Sequence, residues 1–360
     1  MLYDTLFTSE MIYDTIFSSH HAKNKGFGDF EKMKKILILL LLLALIAGLA
    51  ACDNNADSEA TGGTITGALQ RVEYGDNVAY LFGTMHSGQT YWFPLADYVE
   101  DALRRSDVIA LEYEEIGTGN KGAAAMWEAN RRAGWIPDGL LLDEYISEEA
   151  YNHYIEVINT WNFSARVNPM LTNPVHLIDR LELDLLYDLS EMDEALWISV
   201  DTYIANVANE LGLKIIGLES LQHFMDILYD LPYEARNARV MSFPPQEEMI
   251  KTYNTPPTLD DLADYYRNND FDMLNNMFLA TEGIDIDCQY ITYLREVILN
   301  GRSIVYANEI MRLLRETEEP TTFFVAVGLS HIIRSGAGEE FTDIVQQLRL
   351  AGFTVTPIWQ

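Results

Sequence analysis

Two short apolar runs, far apart in the chain, end in the same arrangement of glycine and histidine. Residues 78–82 and 323–327 consist of the apolar, aromatic and β-branched side chains that are typical of buried strands. Each run is followed by glycine, two further residues and histidine, which places His86 and His331 just beyond the two strands. Because ligands bind beyond the carboxyl ends of strands in open α/β sheets, this pattern predicts a site that contains both histidines.

The residues after each glycine–x–x–histidine motif extend the likeness between the two regions. A helical pattern covers residues 97–105 after the first motif and 339–350 after the second, and strand-like runs follow at 107–114 and 353–359. We therefore predict an α/β fold whose central mixed sheet is built from two repeated strand–GxxH–helix–strand units. The alternative, in which both histidines occupy ordinary turns, stays open at this point.

Helical patterns dominate the chain between the two units, and they predict a large helical insertion from about residue 121 to about residue 310. A short apolar run at residues 214–218 interrupts the insertion and predicts another buried strand. Proline-containing breaks divide residues 221–287, which we expect to form a lid or cap. The histidines that we expect to be structural within these stretches are His153, His176 and His223.

The amino-terminal residues differ from the rest of the chain. Residues 1–32 contain two near-copies of one short segment, and we interpret them as a non-native upstream extension. Residues 33–52 have two lysines, an apolar core and small residues before Cys52, which is the organisation of an export signal. The end of this signal resembles the lipobox of bacterial lipoproteins, and this resemblance implies a lipid on Cys52. An uncleaved anchor is the alternative.

Polar residues 53–63 predict a flexible tether between Cys52 and a folded domain over residues 64–360. The chain has two cysteines, so lipidation of Cys52 would leave Cys288 as a lone thiol. The domain would then have no disulfide, and its stability would come from an apolar core. The expected location is the extracytoplasmic side of a cell membrane, with the lipid bilayer as a partner through lipidated Cys52.

The chain is strongly acidic, with 55 Asp and Glu residues against 24 Lys and Arg residues and a net charge of −31. Such a surface repels nucleic acid and anionic lipid headgroups, so we exclude a role that depends on binding a phosphate backbone. The acidity could favour cationic ligands, but a solvated and solubilising surface is the simpler interpretation.

Further candidate residues lie at the ends of predicted strands and at the start of one helix. Glu112 follows the apolar run 108–111, and Glu219 follows the run 214–218. An ionised carboxylate at a buried edge needs a hydrogen bond, an ion pair or a metal. Mixed imidazole and carboxylate sets suit Zn, Mn or Fe-type metals. Arg302 could bind a carboxylate or stabilise an oxyanion, although a surface position is an equal alternative.

These motifs together resemble the TraB/GumN family, which includes the Tiki proteases and the PrgY pheromone-shutdown proteins. The resemblance covers residues of about 64–360, and the residues that carry it include His86, Glu112, Glu219, Arg302 and His331. It implies an α/β fold with a helical insertion and, for Tiki members, metal-dependent proteolysis. The family is more distantly similar to erythromycin esterases and ChaN-like proteins.

Carried over by position, the resemblance implies a divalent metal ion, such as Mn, Co or Zn, at His86, Glu112 and His331. Glu112 would complete the metal site or accept the proton of the attacking water, and Arg302 would stabilise charge on the substrate carbonyl. Glu219 matches a further family position. The chain lacks the His-Glu-x-x-His helix of ordinary zinc proteases, so no local motif secures this mechanism.

The resulting expectation is a lipid-anchored, extracytoplasmic, metal-dependent hydrolase that acts on a peptide or a small-molecule substrate. Two alternatives stay open. One is a non-catalytic binding protein for a peptide or for a metal complex such as haem. The other is a metal-independent esterase in which a histidine acts as the base.

Overall fold

The computed structural model describes most of the chain between residues 67 and 358. The described ranges are 67–86, 88–161, 168–186, 198–248, 264–268, 270, 289–333 and 342–358. The predicted extension, export signal, tether, Cys52 and Cys288 lie outside these residues, as does much of the predicted cap.

Within the described residues, one mixed sheet contains six strands. These are β1 (Leu69–Tyr74), β2 (Asn77–Thr84), β3 (Val108–Leu111), β4 (Lys214–Gly217), β5 (Thr322–Gly328) and β6 (Thr354–Pro357). The spatial order is β4-β3-β5-β2-β1-β6. β1 pairs antiparallel with β2 and β6, whereas the pairs β2–β5, β5–β3 and β3–β4 are parallel. Every strand except β1 therefore runs in one direction, and the predicted α/β class with a mixed sheet is confirmed.

The two motif strands, β2 and β5, are neighbours in the middle of the sheet. Their parallel register pairs Phe82 with Ala326 and Thr84 with Gly328, so both motifs leave the sheet at the same edge. β5 is buried along almost its whole length, as expected of a strand that is covered on both faces. The prediction that both units contribute to one sheet is confirmed.

Helices connect the strands and fill the insertion. They include α1 (Asp97–Arg104), α2 (Asn120–Ala133), α3 (Leu142–Tyr145), α4 (Glu148–Ile158), α5 (Pro174–Leu186), α6 (Val200–Leu211), α7 (Leu221–Tyr229), α8 (Tyr233–Met241), α9 (Gln289–Tyr293), α10 (Arg302–Glu316) and α11 (Ile344–Leu350). α1 connects β2 to β3, and α11 connects β5 to β6, as the repeat predicts. The connection from β2 to β3 runs toward the β4 edge of the sheet, and the connection from β5 to β6 runs toward the opposite edge. Right-handed crossovers therefore place α1 and α11 on opposite faces of the sheet.

Serine side chains start several helices of the insertion. The Ser199 hydroxyl accepts a hydrogen bond from the Thr202 N–H at the start of α6, and Ser220 does the same for His223 in α7. Gly212 ends α6 in the left-handed conformation, with φ of 70°. These start and stop signals set the position of α6, whose first turn contributes to the candidate site.

The insertion has an apolar core of its own, which includes Tyr154, Ile178 and Phe243, whereas the larger core packs around the sheet. The chain returns to the sheet within the insertion to form β4. A π-helical segment, Leu294–Gly301, then joins α9 to α10. No helix among the described residues is long and apolar enough to cross a bilayer.

Candidate active site

Three of the predicted side chains meet beside Gly328, the last residue of β5. A Cβ atom placed on this glycine would lie 3.2 Å from Glu112 Oε1, 3.4 Å from His86 Nε2 and 3.6 Å from His331 Cδ2. Glycine leaves this space free, so the two motifs and the end of β3 border one common gap. The structure thus brings together His86, Glu112 and His331, which are far apart in the sequence.

His86 forms the exposed side of this gap, with 62% of its side chain accessible. Its Nδ1 lies 2.9 Å from Asp201 Oδ2, and Thr84 Oγ1 donates a hydrogen bond of 2.6 Å to Asp201 Oδ1. Desolvation lowers the pKa of His86, but the neighbouring Asp201 and Glu112 charges outweigh it and raise the pKa to about 9.

His331 forms the buried side of the gap and is only 3% exposed. Its Nδ1 lies 2.9 Å from Ser303 Oγ, and Tyr306 packs edge-on against the ring. Burial lowers the pKa of His331 to about 4. The positive charges of Arg302 and His86 lower the pKa further, and the negative charge of Glu112 raises it. This imidazole is therefore neutral at physiological pH.

Glu112 borders the same gap, with its Oε1 4.0 Å from His86 Nε2, and it is 1% exposed. Its Oε1 accepts the Gly328 N–H at 2.7 Å, and its Oε2 accepts Arg302 Nη2 at 2.6 Å. Burial raises the pKa of Glu112, but His86 and Arg302 outweigh burial and lower the pKa to about 2. Both oxygens of this ionised carboxylate are thus hydrogen-bonded.

Arg302 links Glu112 to Glu219 in a buried network. Its Nε and Nη2 donate to Glu219 Oε1 at 2.8 and 2.6 Å, and Nη2 also contacts the Tyr306 hydroxyl. The guanidinium carbon lies 4.6 Å from the centre of the Phe224 ring. Arg302 is therefore buried rather than on the surface, and the oxyanion role expected for it stays a prediction.

Sequence reasoning missed three residues that contact the predicted ones: Asp201, Ser303 and Tyr306. Ser303 follows Arg302 directly, and Tyr306 lies one helical turn beyond it, so the helical spacing of α10 could have indicated both. Asp201 had no such signal, because it lies 115 positions from its partner His86.

The three histidines expected to be structural have different surroundings. His153 Nε2 lies 2.9 Å from the Phe243 carbonyl, and His176 packs against Tyr229, both within the insertion. His223 Nε2 lies 3.9 Å from Glu219 Oε2 and is half exposed, so it lies next to the buried network.

The donors around Gly328 match a transition metal by type, since imidazole nitrogen and carboxylate oxygen bind Zn and Mn. The gap that a Cβ would fill supplies the space. Among the described residues, however, no group of three His, Cys, Asp or Glu side chains is arranged to hold an ion as it stands. His86, Glu112 and His331 fit a metal by donor chemistry, and binding by all three would require side-chain adjustment.

Comparison with known proteins identifies the family of this chain. The model of the TraB/PrgY/gumN family matches residues 68–357, a range that contains all six strands and all residues of the candidate site. No curated protein and no solved structure matches the chain. The match covers well over half of the sequence and includes both glycine–x–x–histidine motifs, so the chain belongs to the TraB/PrgY/gumN family.

Proposed function

We propose that the chain is a metal-dependent hydrolase that cleaves peptide bonds, held at the outer side of a cell membrane by a lipid on Cys52. The observation that supports the catalytic part best is the meeting of His86, Glu112 and His331 around Gly328. Membership of the TraB/PrgY/gumN family supports the same choice of residues.

His86, Glu112 and His331 would hold the divalent ion, which when bound supplies a nucleophilic water at neutral pH. Substrate approaches from the side of His86, because that side chain is exposed whereas the other two are buried. Glu112 either binds the ion or accepts the proton of the attacking water. Arg302 holds Glu112 Oε2 in place and neutralises part of the charge of the two buried carboxylates.

Metal analysis of the purified full chain, combined with turnover on a peptide library, tests this proposal. We expect a chelator to abolish turnover and Mn, Co or Zn to restore it. His86→Ala and His331→Ala should lose most bound metal and nearly all activity. His153→Ala, which changes a histidine of the insertion, should lose neither. Wild-type metal content and turnover in both site variants would contradict the assignment, and binding without any turnover would favour the binding-protein alternative.

The Glu112→Gln variant separates the two roles of this carboxylate, because it keeps the shape and removes the charge. A proton acceptor should leave metal content near normal while turnover falls by about 10²–10⁴-fold. A metal ligand should lose metal together with activity. Circular dichroism must show that the variant is folded.

A second candidate is a metal-independent esterase with a histidine as the base. The arrangement of His86 favours it at pH values above the raised pKa of this ring, where the imidazole is neutral. An exposed imidazole whose Nδ1 contacts a buried carboxylate is the pair that many hydrolases use. Ester hydrolysis that survives complete removal of metal would favour this candidate over the peptidase.

The membrane anchor has a test of its own. Cys52→Ala should abolish labelling with a radioactive fatty acid and release the protein from the membrane fraction, because the lipid would be attached to this thiol. A Cys288→Ala variant is the matched control and should retain both properties. Normal labelling of Cys52→Ala would contradict the lipoprotein proposal without affecting the catalytic one.

A further inference from the structure

Each imidazole of the site is held through Nδ1, but by chemically different partners. His86 Nδ1 lies 2.9 Å from Asp201 Oδ2, and His331 Nδ1 lies 2.9 Å from Ser303 Oγ. A carboxylate only accepts hydrogen bonds, whereas a hydroxyl donates or accepts. Asp201 therefore requires a hydrogen on Nδ1 of His86, and Ser303 makes no such demand on His331.

Asp201 is itself fixed by its surroundings. Thr84 Oγ1 donates to its Oδ1 at 2.6 Å, and the side chain is 3% exposed. The preceding Val200 N–H donates to the Met85 carbonyl at 3.1 Å, which ties the start of α6 to the residue before His86. Side-chain and backbone contacts together hold Asp201 and His86 in one relative position.

We propose that Asp201 is a positioning residue that keeps a hydrogen on Nδ1 of His86 and directs Nε2 toward Gly328. The inference rests on the proposed function, since it assigns His86 Nε2 to the reaction. It applies whether Nε2 binds a metal or moves a proton, because either use needs Nε2 at the gap beside Glu112. Thr84 supports Asp201 by occupying its other oxygen.

Asp201→Asn in the full chain keeps the shape but no longer requires a hydrogen on Nδ1. The Thr84 hydroxyl can donate to the amide oxygen, which places the amide NH₂ against His86 Nδ1, or accept from NH₂, which places the amide oxygen there. In the first arrangement Nδ1 must accept, and the hydrogen of neutral His86 moves to Nε2. Asp201→Ala removes the acceptor altogether. We expect kcat to fall by about 10-fold to 10⁴-fold, with a much smaller change in KM.

Nitrogen NMR of protein labelled with ¹⁵N-histidine locates this hydrogen without substrate or metal. The spectra are recorded over a rising pH series until the nitrogen shifts of the His86 ring show that it is neutral. The His86 signals, assigned by their loss in His86→Ala, should show Nδ1–H in the wild type, Nε2–H in Asp201→Ala and an increased share of Nε2–H in Asp201→Asn. Thr84→Val keeps the carboxylate, so it should keep Nδ1–H and show a smaller loss of kcat.

Asp179→Asn is the matched control, because Asp179 pairs with Arg239 in the insertion, away from the site. It should leave the His86 signals and kcat unchanged. An Nδ1–H signal that persists unchanged in both folded Asp201→Ala and folded Asp201→Asn would overturn the proposal, and so would a moved hydrogen with undiminished kcat. If Asp201→Ala does not fold, Asp201→Asn decides in its place. If the wild type hydrolyses nothing, the proposed function fails, while the NMR comparison still decides whether Asp201 positions His86.

Discussion

The two glycine–x–x–histidine units share a backbone design but give their histidines opposite environments. His86 is 62% exposed beside a carboxylate, whereas His331 is 3% exposed beside a hydroxyl. The pKa of His86 is accordingly raised to about 9, and that of His331 is lowered to about 4. The repeat brings both rings to one edge of the sheet, but their pKa values also depend on burial and on Asp201 of α6 and Arg302 of α10, which lie outside the repeat.

The largest expected effect is the loss of activity when either ring is removed. His86→Ala and His331→Ala should each reduce turnover by about 10³-fold or more, and the double variant should be little worse, because groups that act as a unit are not additive. Urea unfolding should show different stabilities for the two single variants. His331→Ala should lower the free energy of unfolding by about 1–3 kcal/mol, since it leaves a cavity, while His86→Ala should have a smaller effect. Additive losses of activity would contradict a shared site.

The two carboxylates that share Arg302 should differ in their effect on turnover. Glu112 borders both histidines, so Glu112→Gln should lower turnover by about 10²–10⁴-fold. Glu219 contacts Arg302 and Tyr306, so Glu219→Gln should act through them and lower turnover by about 10–100-fold. Equal losses in steady-state assays of the two variants would mean that Glu219 takes part in the reaction directly.

Alanine substitutions of the two motif glycines should have different effects, one on stability and the other on turnover. A Cβ on Gly83 would lie 2.4 Å from Leu329 Cδ1 and 3.2 Å from Leu329 Cα, so Gly83→Ala should destabilise the fold by about 1–3 kcal/mol. A Cβ on Gly328 would instead enter the gap of the site, so Gly328→Ala should lower turnover by up to about 10²-fold with less effect on stability. Thermal unfolding and kinetics of both variants check this contrast.

The smallest expected effect is on the pH dependence of stability, where the two histidines have opposite signs. The folded pKa of His331 is below its ordinary value of about 6.5, so the unfolded chain binds the proton more readily. Stability should therefore fall as the pH drops from 6.5 toward 4. The folded pKa of His86 is raised, so its contribution is present below pH 6.5 and is lost as the pH rises through 9. Exposure screens this second contribution and makes it smaller.

Unfolding midpoints measured across this pH range test both signs. His331→Gln should remove the loss between pH 6.5 and 4, and His86→Gln should remove the loss near pH 9. His176→Gln is a useful comparison for the acid side, because burial and Arg180 lower the pKa of His176 to about 4 as well. If His331→Gln leaves the acid loss unchanged, the loss belongs to other groups such as His176.

The features that could be predicted from the sequence are those that depend on short, continuous stretches of residues. An apolar run that ends in glycine and histidine, or in a carboxylate, marks a strand end locally, and this was enough to identify His86, Glu112 and His331. The repeat also predicted that both motif strands belong to one sheet, although not that they are neighbours. Asp201 could not be found in this way, because it contacts His86 only through the packing of α6, and its local sequence is that of an ordinary capped helix.

The network around Arg302 shows the same limit. Its position at the start of a helix could be predicted, but its burial against Phe224 and its pairing with Glu112 and Glu219 depend on where the insertion places α7 and β4. Contacts of this kind join residues far apart in the chain, and no spacing rule connects them.

The number of residues in the π-helical segment Leu294–Gly301 sets how the insertion and the candidate site are oriented relative to each other along the chain. Upstream of it, the Tyr293 hydroxyl donates to the Ile227 carbonyl in the insertion, while downstream Arg302 and Ser303 reach the site. A π-helix accommodates an additional residue per turn, and each residue of an α-helix turns the chain by about 100°. Deleting one residue here would change the phase between the two ends by that angle. The contacts with the insertion and the contacts at the candidate site could then no longer form together, although every contacting residue would still be present.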